Sequence, residues 1–231
     1  MSWEHLGGWW IEELTSDPAY EEEIAPQLLG LLAPEPGRTY LDLGCGNGRM
    51  MSKVAATGAR VVGCDVNLAL LRQANAAVVR AVLPDLDWVR PGSLDGAYLG
   101  LVLEHLADEA ALFQAVARAV RQGGVLAVVV NHPIWTAPGS SPIEQEDGEV
   151  VWRPGSYFGR GYSDEPAGRQ KVRFYHRTLA SLLTAAAMAG WDLQRVEEAG
   201  ISPAAVARTP AYVGQEEIPR LLGLRWLRRP R

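Results

Sequence analysis

The chain has 231 residues, of which 48% are hydrophobic and 21% charged, and its formal net charge is −5. This composition predicts a folded domain with a hydrophobic core and excludes a disordered or collagen-like chain. No apolar run approaches the roughly 18 residues of a membrane helix, and the N-terminus lacks the basic and apolar regions of a signal peptide. We therefore expect a cytoplasmic protein without membrane contact. The two cysteines, Cys45 and Cys64, have no zinc-like spacing, so no metal site is expected.

Charge is distributed unevenly along the chain. Residues 1–37 carry eight acidic residues and no Lys or Arg, whereas residues 220–231 carry five arginines. A basic tail can be a nucleic-acid arm, but we favour a solvated C-terminal helix that pairs with the protein's own acidic face. The net negative charge and the lack of a basic stretch in the core further disfavour nucleic acid as a partner.

From residue 20 to residue 130 the chain alternates between helical and strand patterns. The predicted elements are a helix from 20, strand 39–43, helix 50–56, strand 60–64, an Asn67-capped helix to 77, strand 78–83, strand 96–103, helix 108–121 ended by Gly123 and Gly124, and strand 125–130. None of these strands alternates apolar and polar residues, which is typical of a parallel sheet covered on both faces. The pattern predicts an α/β doubly wound fold.

Residues 131–175 interrupt this alternation. They hold seven of the 18 aromatic residues and five prolines, without sustained periodicity. Such a segment is typical of a lid or binding loop, and we expect a small hairpin around residues 149–152 and 172–175. After it, the sequence predicts a helix over 178–189 and the last two strands over 191–196 and 204–213.

The glycine-rich residues 44–48, Gly-Cys-Gly-Asn-Gly, leave the first strand and enter a helix. Glycines let the backbone approach a ligand closely, and a helix N-terminus offers free N–H groups. Asp65 ends the next strand, where an acid can accept both hydroxyls of a ribose. Arg49 stands where a dinucleotide fingerprint needs its third glycine, and no P-loop lysine follows. The pattern favours a ligand with an adenosine ribose but no phosphate.

The sequence resembles the class I S-adenosylmethionine-dependent methyltransferases, and more closely their small-molecule, type 11 group. The resemblance rests on residues 41–48, 61–65, 84–86, 94–97 and 103–106, and it covers about residues 36–130 well. It implies a Rossmann-like doubly wound sheet of seven mostly parallel strands, with helices on both faces and an antiparallel last strand. It also implies S-adenosylmethionine (SAM) as the cofactor and S-adenosylhomocysteine (SAH) as its product.

The resemblance assigns expected roles to individual residues. The methionine end of the cofactor is expected at Asp42 and at the backbone of Gly44, Cys45 and Gly46. The other expected contacts are Asp65 with the ribose, Val66 with the adenine face, Asp85 (alternatively Asp87) with the adenine amino group, the Leu86 N–H with an adenine ring nitrogen, and the Leu99 carbonyl with the methionine ammonium.

Within one domain over residues 1–231, we expect four parts. These are an N-terminal helical cap over 1–36, a cofactor-binding core over 37–130, an acceptor-binding insertion over 131–175, and the rest of the sheet with the basic tail over 176–231. We expect Trp3, Trp9 and Trp10 to close, with the insertion, over a small-molecule acceptor. A monomer or homodimer is expected.

Methyl transfer from a sulfonium requires alignment of donor and acceptor, and a general base is optional. His105, His132 and His176 are the candidate bases, and His105 and His132 follow strands at the edge where ligands gather. Alternatively, His105 only hydrogen-bonds the backbone of a helix-entry turn. We expect transfer to oxygen or nitrogen, and less readily to carbon. An NAD-linked oxidoreductase and a non-catalytic cofactor-binding relative are the alternatives.

Overall fold

Helices and strands alternate along most of the computed structural model, which describes residues 3, 6–16, 18–167 and 169–230. The α-helices are α1 Gly7–Ser16, α2 Ala25–Leu32, α3 Arg49–Ala55, α4 Leu68–Leu71, α5 Glu109–Ala119, α6 Pro133–Thr136, α7 Leu179–Met188 and α8 Pro203–Arg208. The strands are β1 Thr39–Leu43, β2 Arg60–Asp65, β3 Ala77–Arg80, β4 Leu94–Gly100, β5 Val120–Asn131, β6 Ser141–Glu144, β7 Val150–Arg153, β8 Gly161–Ala167, β9 Gln170–His176, β10 Trp191–Ala199 and β11 Leu221–Arg228. Within these residues, no helix is long and apolar enough to span a membrane.

Seven of the strands form one sheet in the order β10-β11-β5-β4-β1-β2-β3. The pairs from β5 to β3 are parallel, and β11 is antiparallel to both of its neighbours. The predicted doubly wound, mostly parallel sheet with an antiparallel last strand is confirmed. The strand order reverses between β1 and β4, and in such sheets ligands bind at the carboxyl ends of the strands beside this reversal.

Both faces of the sheet are covered by helices. Leu41 and Leu43 of β1 belong to an apolar cluster that includes Phe113 of α5 and Leu182 of α7. Tyr40, directly before Leu41, belongs to a second cluster that includes Leu28 of α2. Successive side chains of a strand point to opposite faces, so an uninterrupted apolar run is what a strand between two helical layers requires.

Several predicted boundaries were wrong in detail. The helix capped by Asn67 ends at Leu71 rather than 77, although the cap itself forms, since the Asn67 Oδ1 accepts from the N–H groups of Ala69 and Leu70. Helix α5 ends at Ala119, and the expected terminators Gly123 and Gly124 lie inside β5. The β4–β5 pairing is irregular there, and a Cβ on Gly124 would lie 2.6 Å from the Asp95 carbonyl oxygen. Close backbone approach, not helix termination, explains this glycine.

The segment over residues 131–175 contains two β-hairpins instead of one. Strand β6 pairs with β7 and β8 pairs with β9, both antiparallel. Residues 149–152 and 172–175, which the sequence suggested as one hairpin, therefore belong to different hairpins. Each pairs with its nearest neighbour along the chain, because a local turn closes a hairpin at a lower cost in loop entropy.

The two C-terminal predictions were also wrong. Residues 204–213 are mostly in α8 and a following turn of 3-10 helix rather than in a strand. The arginine-containing tail is not a solvated helix, because it forms β11 in the sheet between β10 and β5. Residues 221–224 of this strand are all buried, and that apolar run outweighs the arginines around it.

Arginines of the tail cap helix C-termini. Arg225 donates to the carbonyls of Leu31 and Leu32 at the end of α2, and Arg228 donates to the Ala117 carbonyl of α5 at 3.0 Å. The last carbonyls of a helix lack partners within the helix, so a cation there supplies donors and favourable charge. One tail arginine does contact the acidic N-terminal segment: Arg220 lies 3.4 Å from Glu23. Arg231 lies outside the described residues.

Candidate active site

A cavity of about 390 Å³ opens at the carboxyl ends of β1, β2 and β4, beside the reversal of strand order. The described residues that line it are Trp3, Trp10, Gly44, Gly46, Asp65, Val66, Leu70, Ala81, Val82, Leu83, Pro84, Gly100, Leu101, Val102, His105, Leu106, Ala107 and Asp108. The structure therefore brings four predicted cofactor residues, one predicted histidine and two of the N-terminal tryptophans to one concave surface.

The glycine loop between β1 and α3 has a backbone that only glycine adopts readily. Gly44 and Gly46 have φ values of 77° and 53°, in the left-handed region. A Cβ on Gly44 would lie 2.5 Å from the Val102 Cγ2. The glycine loop thus packs directly against the segment after β4, with no room for a side chain at Gly44. At Gly44 and Gly46 the cavity is lined by backbone atoms.

We expect Gly44→Ala to destabilise the protein more than Gly92→Ala does. Both glycines have positive φ values, but a Cβ on Gly92 would meet nothing within 4 Å. Gly92→Ala therefore measures backbone strain alone, about 1–2 kcal/mol, whereas Gly44→Ala adds overpacking against Val102 of about 1–3 kcal/mol. Urea denaturation of both variants checks this. Equal losses of unfolding free energy would contradict the crowding at Gly44.

Asp65 lies at the end of β2 on the cavity wall. Its Oδ2 accepts the Gly46 N–H at 2.9 Å, and its Oδ1 accepts the Asn67 N–H at 2.7 Å. Burial raises the pKa of this carboxyl, and these N–H donors oppose the rise. Each carboxylate oxygen has a second lone pair, so Asp65 has capacity to accept further hydrogen bonds from a ligand.

Asp42 lies in β1 beneath the glycine loop and is 4% exposed. Burial raises the pKa of its carboxyl to about 8, the nearby Tyr98 hydroxyl opposes the rise, and the Asp65 charge adds to it. Its Oδ2 is buried without a hydrogen-bond partner among the residues that the structure describes. A buried polar atom without a hydrogen-bond partner lowers the stability of the fold. A ligand that donates a hydrogen bond to this oxygen would therefore bind favourably.

Five predicted cofactor residues are not on the cavity wall. Cys45 is buried against Met51 and Leu71, and Leu99 lies in β4 directly before the wall residue Gly100. Leu86 is 1% exposed in the core, while the Asp85 Oδ1 accepts the Asp87 N–H. Asp87, the alternative to Asp85, forms an ion pair with Arg118 at 2.9 Å. Their predicted contacts with a cofactor stay predictions.

The wall contains residues that sequence reasoning missed. Between β3 and Asp85 the chain presents Ala81, Val82, Leu83 and Pro84 to the cavity, all apolar. Their position directly after a parallel strand indicates a place at the ligand-binding edge of the sheet. The sequence analysis assigned this contact to the acid that follows them, Asp85. Leu101, directly after β4, has a φ of 57°, which is uncommon for a residue with a side chain and not visible in the sequence.

The N-terminal segment covers the mouth of the cavity. The Asn67 Nδ2 donates to the Trp3 carbonyl at 2.8 Å, so the residue that caps α4 also holds this segment. The Trp3 ring lies 5.6 Å from Trp10 and 4.8 Å from the His105 ring. Trp9 is not a wall residue and packs with Leu6. Two of the three tryptophans thus lie on the cavity wall, and their closing over an acceptor stays a prediction.

His105 is the predicted histidine that lines the cavity. Its Nδ1 lies 2.8 Å from the Arg173 carbonyl oxygen. A carbonyl only accepts, so Nδ1 carries the proton of the neutral ring and Nε2 keeps a free lone pair. The ring is also in edge contact with Phe174 at 4.6 Å. Burial lowers the pKa of His105, which keeps it unprotonated at neutral pH.

Arg177 holds the turn that carries His105. It is 8% exposed and donates to the carbonyls of Leu103 at 2.8 Å and Leu106 at 2.5 Å. Its Nε lies 3.3 Å from the Glu109 carboxylate. Both sides of His105 are therefore held by one buried guanidinium. This arrangement came from the tertiary structure and had no signal in the local sequence.

His132 lies outside the cavity and uses both ring nitrogens. Its Nδ1 accepts the Ile134 N–H at 3.1 Å, which caps α6, and its Nε2 lies 2.9 Å from the Glu198 carboxylate. The one lone pair of the neutral ring is engaged, so His132 links β5 to β10 and has no free base. This geometry gives no support to His132 as a general base, and that role stays a prediction.

His176 also lies away from the cavity. It is 4% exposed, and its Nε2 lies 2.8 Å from the Tyr157 carbonyl oxygen. That contact places the proton on Nε2. Nδ1 is buried without a partner among the described residues. His176 therefore belongs to the packing beneath the insertion, and of the three predicted histidines only His105 reaches the cavity.

The fold and the cavity together define the class of protein. Three features lie beside the reversal of strand order: the glycine loop, Asp65 at the end of β2, and the buried carboxyl of Asp42. They fit SAM, which carries ribose hydroxyls and an ammonium group but no phosphate. Residues 41–128 match the family model described as "Methyltransferase domain". Residues 41–128 thus match a methyltransferase domain within a chain that has the class I SAM-dependent methyltransferase fold, and SAM is the cofactor of that class.

Relatives with assigned names match the same part of the chain. A ubiquinone biosynthesis O-methyltransferase of Paracidovorax citrulli is 36% identical over 129 residues, which cover 50% of this chain and 53% of that protein. A demethylmenaquinone methyltransferase of Corynebacterium kroppenstedtii is 34% identical over 103 residues, 42% of this chain and 43% of that protein. The chain therefore spans about half the length of the curated relatives that it matches.

Solved structures match a larger share of the chain. A SAM-dependent methyltransferase from Mesorhizobium loti has a TM-score of 0.80 and 27% identity, over 93% of this chain and all of that one. A putative SAM-dependent methyltransferase from Listeria monocytogenes has a TM-score of 0.76 and 23% identity, over 89% and 98%. The first match shows that the resemblance extends beyond residues 41–128 to the insertion and the C-terminal strands.

Proposed function

We propose that the protein transfers the methyl group of SAM to an oxygen atom of a small aromatic molecule. The observation that carries this proposal is the single cavity that has Gly44, Gly46 and Asp65 on its wall together with His105. The printed name of the relative from P. citrulli, an O-methyltransferase, supports oxygen as the acceptor atom. The relatives and structures named above are all methyltransferases, and this argues against an NAD-linked reaction.

The residues of the glycine loop and of β2 are proposed to hold the cofactor. Asp65 accepts the ribose hydroxyls, and the backbone of Gly44 and Gly46 borders the methionine end. Asp42 is proposed to act from beneath the loop, where its ionised form is favoured by the positive charge of a methionine ammonium. SAM supplies an activated methyl group, which the acceptor oxygen displaces from sulfur in line.

His105 is proposed as the general base. Its Nδ1–H is held by the Arg173 carbonyl, which leaves Nε2 to take the proton of the acceptor hydroxyl as the oxygen–carbon bond forms. Trp3 and Trp10 cover the same cavity, so they exclude water while the acceptor is bound. Arg177 keeps the turn around His105 in one conformation. The residues thus provide a base with a defined tautomer inside an apolar enclosure.

We expect His105→Gln to lower the turnover rate by about 100-fold, the usual effect of losing a general base. The assay is SAH release with a panel of hydroxylated aromatic molecules such as catechol and 8-hydroxyquinoline. Because burial lowers the pKa of His105 from 6.5, the wild-type rate should be constant above pH 6.5 and fall only on the acidic side of it. The variant should lack this acidic decline.

His132→Gln is the matched control, since His132 lies outside the cavity and bonds Glu198. It should keep the turnover rate and the pH profile, and both variants should bind SAH as the wild type does. A His105 variant with undiminished turnover would contradict the base assignment. SAH binding without turnover of any acceptor in the panel would favour a non-catalytic cofactor-binding relative instead.

A further inference from the structure

The insertion forms a second open cavity of about 420 Å³, which is adjacent to the first through the contact between Phe174 and His105. Its described lining includes Asn131, Trp135, Trp152, Glu165 and Phe174, together with small, serine and proline residues. They come from α6, the loop after it and both hairpins. A concave, largely apolar surface with a few polar groups is the usual form of a small-molecule site.

Aromatic side chains form much of this second cavity. The rings of Trp135 and Trp152 are stacked, with centroids 4.6 Å apart and an angle of 23° between planes. The Trp152 Nε1 donates to the Ile134 carbonyl at 3.2 Å, which fixes the orientation of that indole. The pair therefore offers a rigid flat surface on which a planar ring can stack.

One residue of the second cavity contacts the wall of the first. Phe174 lines the second cavity, and its ring centroid lies 4.6 Å from that of His105 on the wall of the first. The next residue towards the N-terminus, Arg173, supplies the carbonyl that fixes the His105 tautomer. A molecule bound in the second cavity thus touches the strand that orients the proposed base.

The charge of the second cavity is negative. Among its described lining residues, Glu165 is the one charged side chain, and none is Lys, Arg or His. The nearby Arg173 is engaged, since its Nε and Nη2 donate to the two Asp164 carboxylate oxygens at 2.7 and 2.9 Å. An aromatic surface beside a carboxylate favours a cation and disfavours an anion.

A buried acceptor lies behind the wall of the second cavity. Glu104 is 5% exposed, and its Oε1 accepts both the backbone N–H of Asn131, at 3.3 Å, and the Nδ2–H of that residue, at 3.0 Å. Its Oε2 is buried without a partner in the part of the chain that the structure describes. Glu104 lines neither cavity and its charge interacts with that of Arg177, so it holds Asn131 in place on the wall rather than contacting a ligand.

We propose that the second cavity binds the ring of the methyl acceptor and that it selects a planar aromatic cation over an anion of the same shape. This inference rests on the proposed function only in identifying the ligand as the acceptor. The recognition itself follows from the stacked tryptophans and the carboxylate of Glu165. The acceptor is then a hydroxylated aromatic amine or nitrogen heterocycle.

Three quinolines that differ in charge test the selection directly. Calorimetric titration at pH 7.5 in saturating SAH compares 4-aminoquinoline (a cation), quinoline (uncharged) and quinoline-4-carboxylate (an anion). We expect the cation to bind most tightly and the anion most weakly. Trp152→Ala should weaken 4-aminoquinoline binding about three- to tenfold, as expected for a lost stacking surface. Glu165→Gln should reduce its advantage over quinoline by up to about fivefold.

Trp88→Ala is the matched control, because Trp88 is 40% exposed and lines neither cavity. It should leave all three affinities unchanged. Equal or tighter binding of the carboxylate, no binding of any quinoline, or loss of binding on Asp65→Ala rather than Trp152→Ala would overturn the proposal. The SAH affinity of each variant shows separately whether the variant is folded and whether the proposed cofactor site is intact. If Trp152→Ala does not fold, the conservative Glu165→Gln variant still tests the proposal.

Discussion

Replacing Asp65 by alanine should weaken SAH binding at least ~100-fold. The carboxylate is proposed to accept two ribose hydroxyls, and hydrogen bonds to a charged group contribute ~1.5–3 kcal/mol each. The same carboxylate now accepts the N–H groups of Gly46 and Asn67, so its loss also loosens the loop that borders the cofactor. Isothermal titration calorimetry at neutral pH measures the change.

Two further variants separate the ribose contact from general damage. Asp65→Asn keeps an oxygen acceptor and should lose less affinity than Asp65→Ala. Asp192→Ala removes an exposed carboxylate that pairs only with Arg229 on the far edge of the sheet, and it should bind SAH as the wild type does. Undiminished SAH binding by Asp65→Ala would show that the cofactor does not use this acid, and the proposed function would fail with it.

The core of the fold was predictable from the sequence because its strands are buried on both faces. A strand such as β5, with five consecutive buried residues up to Val130, shows a continuous apolar run that has few other interpretations. The turn between β1 and α3 was predictable for a related reason. The φ values of Gly44 and Gly46 are positive, and glycine is the residue that adopts them without strain.

Strand β11 and the hairpins could not be predicted because their stability depends on distant partners. Arg225 looked like a solvated residue, yet it donates to carbonyls near residue 31, almost two hundred positions away. The segment over 149–152 had strand character, but its partner was fixed by a local turn. In both cases the sequence indicated the secondary-structure propensity of the segment but not the residues that it pairs with in the folded protein.

The candidate site was predictable to the extent that it lies at strand ends. Asp65 and His105 both follow strands next to the reversal of strand order, and both reach the cavity. His132 follows a strand as well, but its ring turns to cap α6 and to meet Glu198. The position of a residue along the chain locates its backbone at the edge of the sheet, whereas the direction of its side chain depends on the hydrogen bonds that it makes.

Asp42→Asn should stabilise the fold above neutral pH. Burial raises the pKa of Asp42 from 3.8 to about 8, so the folded protein holds a proton here that the unfolded chain releases once the pH exceeds 3.8. Wild-type stability from this group is therefore present at low pH and lost as the pH rises to about 8, by up to ~5 kcal/mol. Asparagine has no proton to lose. The gain should be small near pH 5, grow with pH and level off above 8.

Urea unfolding of both proteins between pH 5 and pH 9 measures this difference, and the other titrating groups cancel in it. A constant offset for Asp42→Asn across the range would contradict the raised pKa. The same substitution should weaken SAM binding, because an ionised Asp42 is proposed to face the methionine ammonium. A buried acid lowers the stability of the free protein but favours binding of a cation, and such a trade-off is expected at a binding site. If Asp42→Asn is both more stable and poorer at binding SAM, then Asp42 contributes to ligand binding rather than to the stability of the fold.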